Sequence, residues 1–577
     1  MKLKSLNRIL SLILFYVIIS PIAADEKIDI WNKEKKEKTT NDISVADNEN
    51  EDQVPKGLKI EGLNNNIEIK DKALEDSKEI KIFGIYDPAE NDFNLNMWSK
   101  TDPDNVKSII KRINKIKLSS TAEKLFENTL LSFAYPPKGM SENDFLNLKI
   151  NWMIDNKKTE LIEKFLNQNS TFPNKKKLIQ HLVDNNIAKA NIKEGCEKIN
   201  FLDKDIKDNY LDKFKIYCLV YNKKNNEAQL QLDILREEKR SDSFFDNKID
   251  FLLGVTNKTT KKINEKNLLN FYLSSVTIDN FEFEPNEKTK KVIWEYLNAA
   301  NLIKLENIDK EKLNSLEKAA NSNQLDKEKI FKIYSNVSFD LNNLIKAENI
   351  YQTLDSVDAR ALIYQKYLLS DNEENKIKLL FTLKDLFQKD DLSNVYTEFL
   401  SNRLKEIDTE SLSKSYKEVV KNNIVTVEEI KLGKIKYNDK ILHQSRLLKY
   451  FKKEIDQKKA QKDFIKIFKK IKKNRKYFFS AKDVALVESL IQDGFQLPKE
   501  LNFKEISKDY DVPSNLLQLA KREESAFLTL KLVEIIGEDE AYNLDPETIY
   551  FITHLLNQNN LKKIRNDILI SALPQRS

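Results

Sequence analysis

Apolar residues recur at three- and four-residue steps along most of this chain, the spacing that gathers them on one face of a helix. Residues 185–254 show it most plainly. Leu211, Phe214, Cys218 and Leu219 share one stripe, and Ala228, Leu232 and Leu235 share the next. Runs this short are marginal as isolated helices in water, so each stripe needs a neighbour to cover it. The pattern predicts amphipathic helices paired across polar turns.

The same spacing, with local start and stop signals, predicts helices elsewhere. Asp102 can cap a helix that begins at Pro103, where the missing N–H costs nothing, with Val106, Ile109, Ile110 and Ile113 on one face. Ser120 and Glu123 have the spacing of a capping box. Its helix would carry Leu125, Phe126, Thr129, Leu130 and Phe133, ending at Pro136 and Pro137. Further helices are expected at 145–154, 159–166, 175–183, 359–369, 377–387, 395–404, 412–420 and 441–451, and after Asp326, Ser480, Pro513 and Pro546. Residues 516–536 read as one continuous helix, whereas 255–285 are weakly patterned. The apolar stretch 82–88 reads as a small strand or a docked segment.

Units of about 35–45 residues fit paired-helix repeats. The expected fold class is all-α, a TPR-like α-solenoid of degenerate hairpins. Its expected parts are an N-terminal helical cap region (82–140), hairpin repeats (141–254), further helical repeats (255–440) and C-terminal repeats (441–577). Composition agrees. Nine glycines and twelve prolines in 577 residues are too few for the turns of an all-β chain of this length.

The N-terminus changes the picture by adding an address. Lys2, Lys4 and Arg8 precede an apolar run from Ile9 to Ile19 interrupted only by Ser11, and Ala23 and Ala24 follow. That is the pattern of an export signal, residues 1–24, with cleavage expected after Ala24. The run is shorter than the roughly 20 residues of a membrane span, and no later stretch is apolar enough for one. Residues 25–81 are charge-rich and lack periodicity, which predicts a disordered linker. The expected location is therefore periplasmic or secreted, which argues against nucleic acid as a partner.

Charge adds one local feature. Overall, 97 basic and 91 acidic residues leave a net charge of only +6, a mixed surface rather than a general polyanion binder. Residues 452–476 differ: eleven lysines and Arg475 stand against Glu454, Asp456 and Asp463, a local net of +9. Phe464, Ile467, Phe468 and Ile471 form an apolar stripe there, leaving Lys466, Lys469, Lys470 and Lys473 on other faces. One reading is a repeat helix with solvated lysines. The other is a docking surface for cell-wall polymer, anionic lipid head groups or an acidic envelope protein.

Candidate chemistry is sparse. His181, His443 and His554 are isolated, and no Cys-x-x-Cys, Gly-rich phosphate loop or Gly-x-Ser-x-Gly occurs, so neither a metal site nor a cofactor is expected. The only two cysteines, Cys196 and Cys218, fall at comparable heights on consecutive helices if the turn centres near Lys207. In an oxidising compartment they could pair, contributing about 3 kcal/mol through loop closure. The alternative is two buried thiols acting as small apolar groups.

Several stretches resemble those of a family of exported helical-repeat proteins of alphaproteobacteria that has no established activity. They include Tyr86-Asp87-Pro88, Met97-Trp98-Ser99, the segment from Leu130 to Pro137, Phe214 to Cys218, Ala359 to Gln365, Leu442 to Leu448 and Tyr477 to Ser489. The resemblance implies a secreted α-helical protein and supplies no catalytic residue. A second, shorter similarity is that of Glu524-Ser525-Ala526-Phe527 to the Glu-Ser-x-Phe core of soluble lytic transglycosylases. It would make Glu524 the acid that protonates the glycosidic oxygen, but no Gly-Leu-Met-Gln-like segment follows. The expectation is an exported, non-enzymatic binding or scaffold protein of the cell envelope. Its alternatives are a peptidoglycan-acting enzyme using Glu524 and a purely structural spacer.

Overall fold

The computed structural model describes residues 80–286, 288–304, 308–424 and 434–576. The expected signal and residues 25–79 of the expected linker lie outside the described residues. The fold is all-α: helices follow one another from Pro103 to Ala572, and the only strands among the described residues are Ile435–Lys436 and Gln575–Arg576, paired antiparallel.

One connection recurs six times. Helices ending at Asp155, Ala188, Tyr221, Lys389, Lys521 and Gln558 are followed two residues on by a left-handed residue. Those residues are Lys157, Ala190, Lys223, Asp391, Glu523 and Asn560, with φ between 51° and 60°. Two residues further on, the next helix begins, at Thr159, Ile192, Asn225, Ser393, Ser525 and Lys562. In each case the N–H after the left-handed residue donates to the carbonyl five residues earlier, for example Lys158 to Met153 and Glu524 to Leu519. This closure satisfies carbonyls that a helix end would otherwise leave bare. Each non-glycine residue costs about 1 kcal/mol in that conformation, offset by the closure and by packing of the two helices.

Lys157, Ala190 and Lys223 follow each other at intervals of 33 residues, shorter than the spacing expected. None of the six turns contains glycine. For that reason the expected single helix over 516–536 is two, Ser514–Lys521 and Ser525–Ile536, hinged at Glu523.

Other expectations are also corrected. Ser119, not Ser120, caps the helix Ser120–Leu131, its hydroxyl accepting from the Ala122 N–H. The Ser120 N–H instead donates to Glu540, a carboxylate 420 residues away, so no capping box forms there. Residues 441–451 are not one helix but a 3-10 turn, Leu442–Gln444, and one helical turn, Leu448–Phe451. The weakly patterned stretch holds a helix, Leu268–Thr277, buried almost all round, which explains its lack of an apolar stripe.

Asp102 does cap Pro103–Ile113, whose four apolar face residues are all buried. Ser480 and Asp483 form a full capping box on Ala481–Gln492. The stretch near 82–88 docks: Tyr86 bridges Ser132 in parallel register, and the Ile85 N–H donates to the Leu131 carbonyl. Gly84 permits this approach, because a Cβ there would lie 2.5 Å from the Phe133 nitrogen.

The packing order departs from chain order. Helices between 142 and 299 pack on near neighbours and on Lys175–Ala188, and those between 310 and 423 pack mainly among themselves. The helix Ser525–Ile536, third from the end, instead packs on Pro103–Ile113 and Ser120–Leu131. Its end is pinned by a hydrogen bond from the Ser119 N–H to the Gly537 carbonyl, and the Lys563 N–H donates to Asp92. The two ends of the described chain therefore share one helical layer.

Candidate binding site

A cleft of about 780 Å³ opens where the helices of 142–188 meet those of 291–336 and 393–406. Its volume falls within the range that holds small ligands or a short peptide segment. Two of the left-handed hairpin turns shape its rim: Lys157 and Thr159 come from the first, and Lys189 borders the second. Asn298 holds the floor together. Its Nδ2 donates to the carbonyls of Trp294 and Gln324, and its Oδ1 accepts from Lys329 Nζ at 3.2 Å.

The cleft is charged on both signs. Lys157 pairs with Glu295 at 2.7 Å across the joint. Lys327 reaches Asn394 at 3.1 Å and lies 3.9 Å from Glu398. Lys329 differs from both: it is half-buried against an amide and has no carboxylate in ion-pair distance among the described residues. Burial pushes its ammonium below the usual lysine range. A partly desolvated cation held by a neutral partner favours an incoming carboxylate or phosphate, which would repay its lost hydration. Phe399, Leu325 and Ala188 supply apolar wall beside it.

No sequence pattern pointed to this cleft. Its walls come from five separate segments between Lys157 and Phe399, and only the run from Asn323 to Lys329 contributes more than three residues.

The residues singled out from sequence occupy other places. Cys196 on Ile192–Lys198 and Cys218 on Asn209–Tyr221 are bonded to each other, with Cα atoms 5.5 Å apart. Lys466, Lys469, Lys470 and Lys473 are exposed on or just after the helix Gln457–Lys472, while Phe464, Ile467, Phe468 and Ile471 are buried beneath. Among the described residues only Lys470 of the four has a carboxylate in ion-pair distance, Asp439 at 3.5 Å.

Glu524 sits at the entry of Ser525–Ile536, the position that Lys158, Asn191, Lys224, Leu392 and Leu561 hold in the other five hairpins. It is an architectural position. Burial pushes its carboxyl above the usual range, against the pull of Arg522 and Lys100. The adjacent Glu523 points outward and pairs with Lys100 at 3.2 Å.

The histidines do not meet. His443 Nδ1 lies 2.7 Å from Asp483 Oδ1, and His554 Nδ1 lies 2.6 Å from Glu488 Oε1. Ser480 stands beside His443 and Asp483, a combination that suggests nucleophilic catalysis. The geometry denies it: Ser480 Oγ and Asp483 both face Nδ1, whereas proton relay needs them on opposite ring nitrogens. Asp483 is instead a junction, accepting from the His443 and Ser480 N–H groups and from Tyr477 Oη. Among the described residues no three His, Cys, Asp or Glu side chains converge to hold a metal ion, and no helix is long and apolar enough to cross a membrane. The chain matches no family model, no curated protein and no solved structure.

Proposed function

We propose that this chain is an exported, non-enzymatic helical-repeat protein of the bacterial cell envelope. Its hairpins act as a solenoid scaffold, and the cleft at Asn298 and Lys329 binds an acidic segment of an envelope protein or a cell-wall polymer. The observation that carries this reading is the cleft itself: two blocks of hairpins meet there around a half-buried lysine that has no carboxylate in ion-pair distance among the described residues. Export rests on the charged and apolar pattern of the first 24 residues, and N-terminal sequencing of the secreted protein should begin at Asp25.

Affinity capture from envelope extracts tests binding. Wild type should retain a discrete partner that Lys329→Glu loses, with the fold unchanged by circular dichroism. Equal retention by both proteins rules out the cleft, and recovery of nothing specific favours the spacer reading.

The enzymatic alternative draws on one observation, the burial that raises the Glu524 carboxyl as a general acid requires. Turnover of purified peptidoglycan by wild type but not by Glu524→Gln would establish it.

A further inference from the structure

The helix Gln457–Lys472 and the turn after it present a second surface, separate from the cleft. Lys458, Lys462, Lys466, Lys469 and Lys473 recur at steps of three and four, so they line the face opposite the buried stripe, and all are exposed. Of the ten exposed cations between 458 and 476, only Lys470 and Lys472 have a carboxylate in range among the described residues, Asp439 and Glu500, each at 3.5 Å or more. Solvated lysines alone would make an ordinary repeat helix.

Two apolar residues set this surface apart. Ile465 lies 40% exposed among the outward lysines, and Phe478 is 79% exposed five residues beyond Lys473. Phe478 is not loose. Tyr477 Oη accepts from the Leu442 N–H and donates to Asp483, and the Phe479 carbonyl accepts from Tyr510 Oη. The Tyr477 and Phe479 rings pack edge to face at 5.1 Å. With both neighbours tied to the fold, Phe478 is held exposed to water five residues beyond the last of the outward lysines.

We propose that this face docks on the surface of an anionic lipid bilayer. Its lysines would meet the phosphate head groups while Phe478 and Ile465 enter the interfacial layer. The charge selects a polyanion, and the apolar pair selects which one. A sugar or a base can stack on the phenyl ring, but the aliphatic Ile465 has no flat face to offer either; the interfacial layer of a bilayer accommodates both side chains beside the phosphates that meet the lysines.

Co-sedimentation of the purified chain, residues 25–577, with phosphatidylglycerol-containing and pure phosphatidylcholine vesicles tests this. Binding should need the anionic lipid and weaken with salt. Neutralising an outward lysine should lower affinity about fivefold, so Lys466→Gln, Lys469→Gln and Lys473→Gln together should lower it about a hundredfold. Phe478→Ser should lower it about tenfold with every cation in place. Phe478→Trp, compared with wild type, should show added quenching by brominated lipid. All of these positions are exposed, so folding is not at stake, and Lys329→Glu should leave vesicle binding intact whatever becomes of the cleft. Equal binding to both vesicles, no binding, or affinity for soluble polyphosphate that Phe478→Ser leaves unchanged while the brominated lipid fails to quench would each overturn the proposal.

Discussion

The middle of the molecule and its joined ends are built from the same hairpins but held by contacts of different range. In the middle, Arg360 lies wholly buried with Glu317, Nη2 to Oε2 at 2.5 Å, and also bonds Asp390, partners 43 and 30 residues away. At the ends, Arg112 meets Glu534 and Ser120 meets Glu540 across 422 and 420 residues, and Asp92 meets Lys563 across 471. Closing a loop ten times longer costs only about 2 kcal/mol more. Range therefore affects when each region forms more than whether it holds. Local pairing should order the middle early and the shared terminal layer late.

The sharpest way to break this comparison is at Arg360. Arg360→Ala leaves Glu317, fully buried, without its cation, and should cost about 3–5 kcal/mol in urea denaturation. Hydrogen exchange should rise across 310–423 and stay low at 103–131. If both regions lose protection together, they form one cooperative unit and the division is wrong. Replacing Arg360 and Glu317 together with methionine should recover much of the loss, since the pair must offset its own desolvation.

A comparable effect on the terminal side follows from pH. Lys149 Nζ is buried and donates to the carbonyls of Phe83 and Ser132, fastening the docked stretch to the helix Ser120–Leu131. Burial pushes this ammonium down to about 7, whereas in the unfolded chain it titrates near 10.5. Between those values the unfolded state binds more protons, so stability should rise with pH across the window. Below pH 7 the penalty is complete and constant. Lys149→Met should flatten the rise relative to wild type while leaving two carbonyls bare. An unchanged slope would show that the lysine does not titrate there.

The Cys196–Cys218 bond staples the middle. Cys196→Ser with Cys218→Ser should lower stability by about 3 kcal/mol for a separation of 22 residues. Titration in denaturant without reductant should find no free thiol in wild type. Two titratable thiols would remove the staple from the account.

How much of this was legible depends on whether the cause was local. The Pro103 start, the helix opening at Ser480 and the stripe from Phe464 to Ile471 are determined by residues within a turn or two, and they read correctly. The hairpin turns read only in part: the helices expected at 145–154, 159–166, 377–387 and 395–404 bracket Lys157 and Asp391, but the left-handed conformation did not show, because Lys157, Ala190, Lys223, Asp391, Glu523 and Asn560 share it without sharing a residue type. Tertiary packing places them there against their own preference. Ser120 misled for a related reason: its local pattern fitted a capping box, but a distant carboxylate, Glu540, took the role. The cleft was invisible because adjacency in space, not in sequence, assembles it.

The smallest expected effect distinguishes the two regions most directly, because one substitution can be made in each. Gly254 and Gly537 both have positive φ, 76° and 55°. A Cβ at Gly254 would meet nothing within 4 Å, so Gly254→Ala should cost only the conformational penalty, about 1 kcal/mol, confined to the end of Ser243–Leu252. Gly537 pairs its φ with ψ of −122°, outside the left-handed helical region, and its carbonyl receives the Ser119 N–H that starts Ser120–Leu131. Gly537→Ala should cost about 1–3 kcal/mol. Its exchange signature should extend beyond 525–537 into 120–131, which lies more than 400 residues away but in the same layer. If faster exchange stays within the C-terminal helices, the two ends touch without stabilising each other, and the terminal layer is two units rather than one.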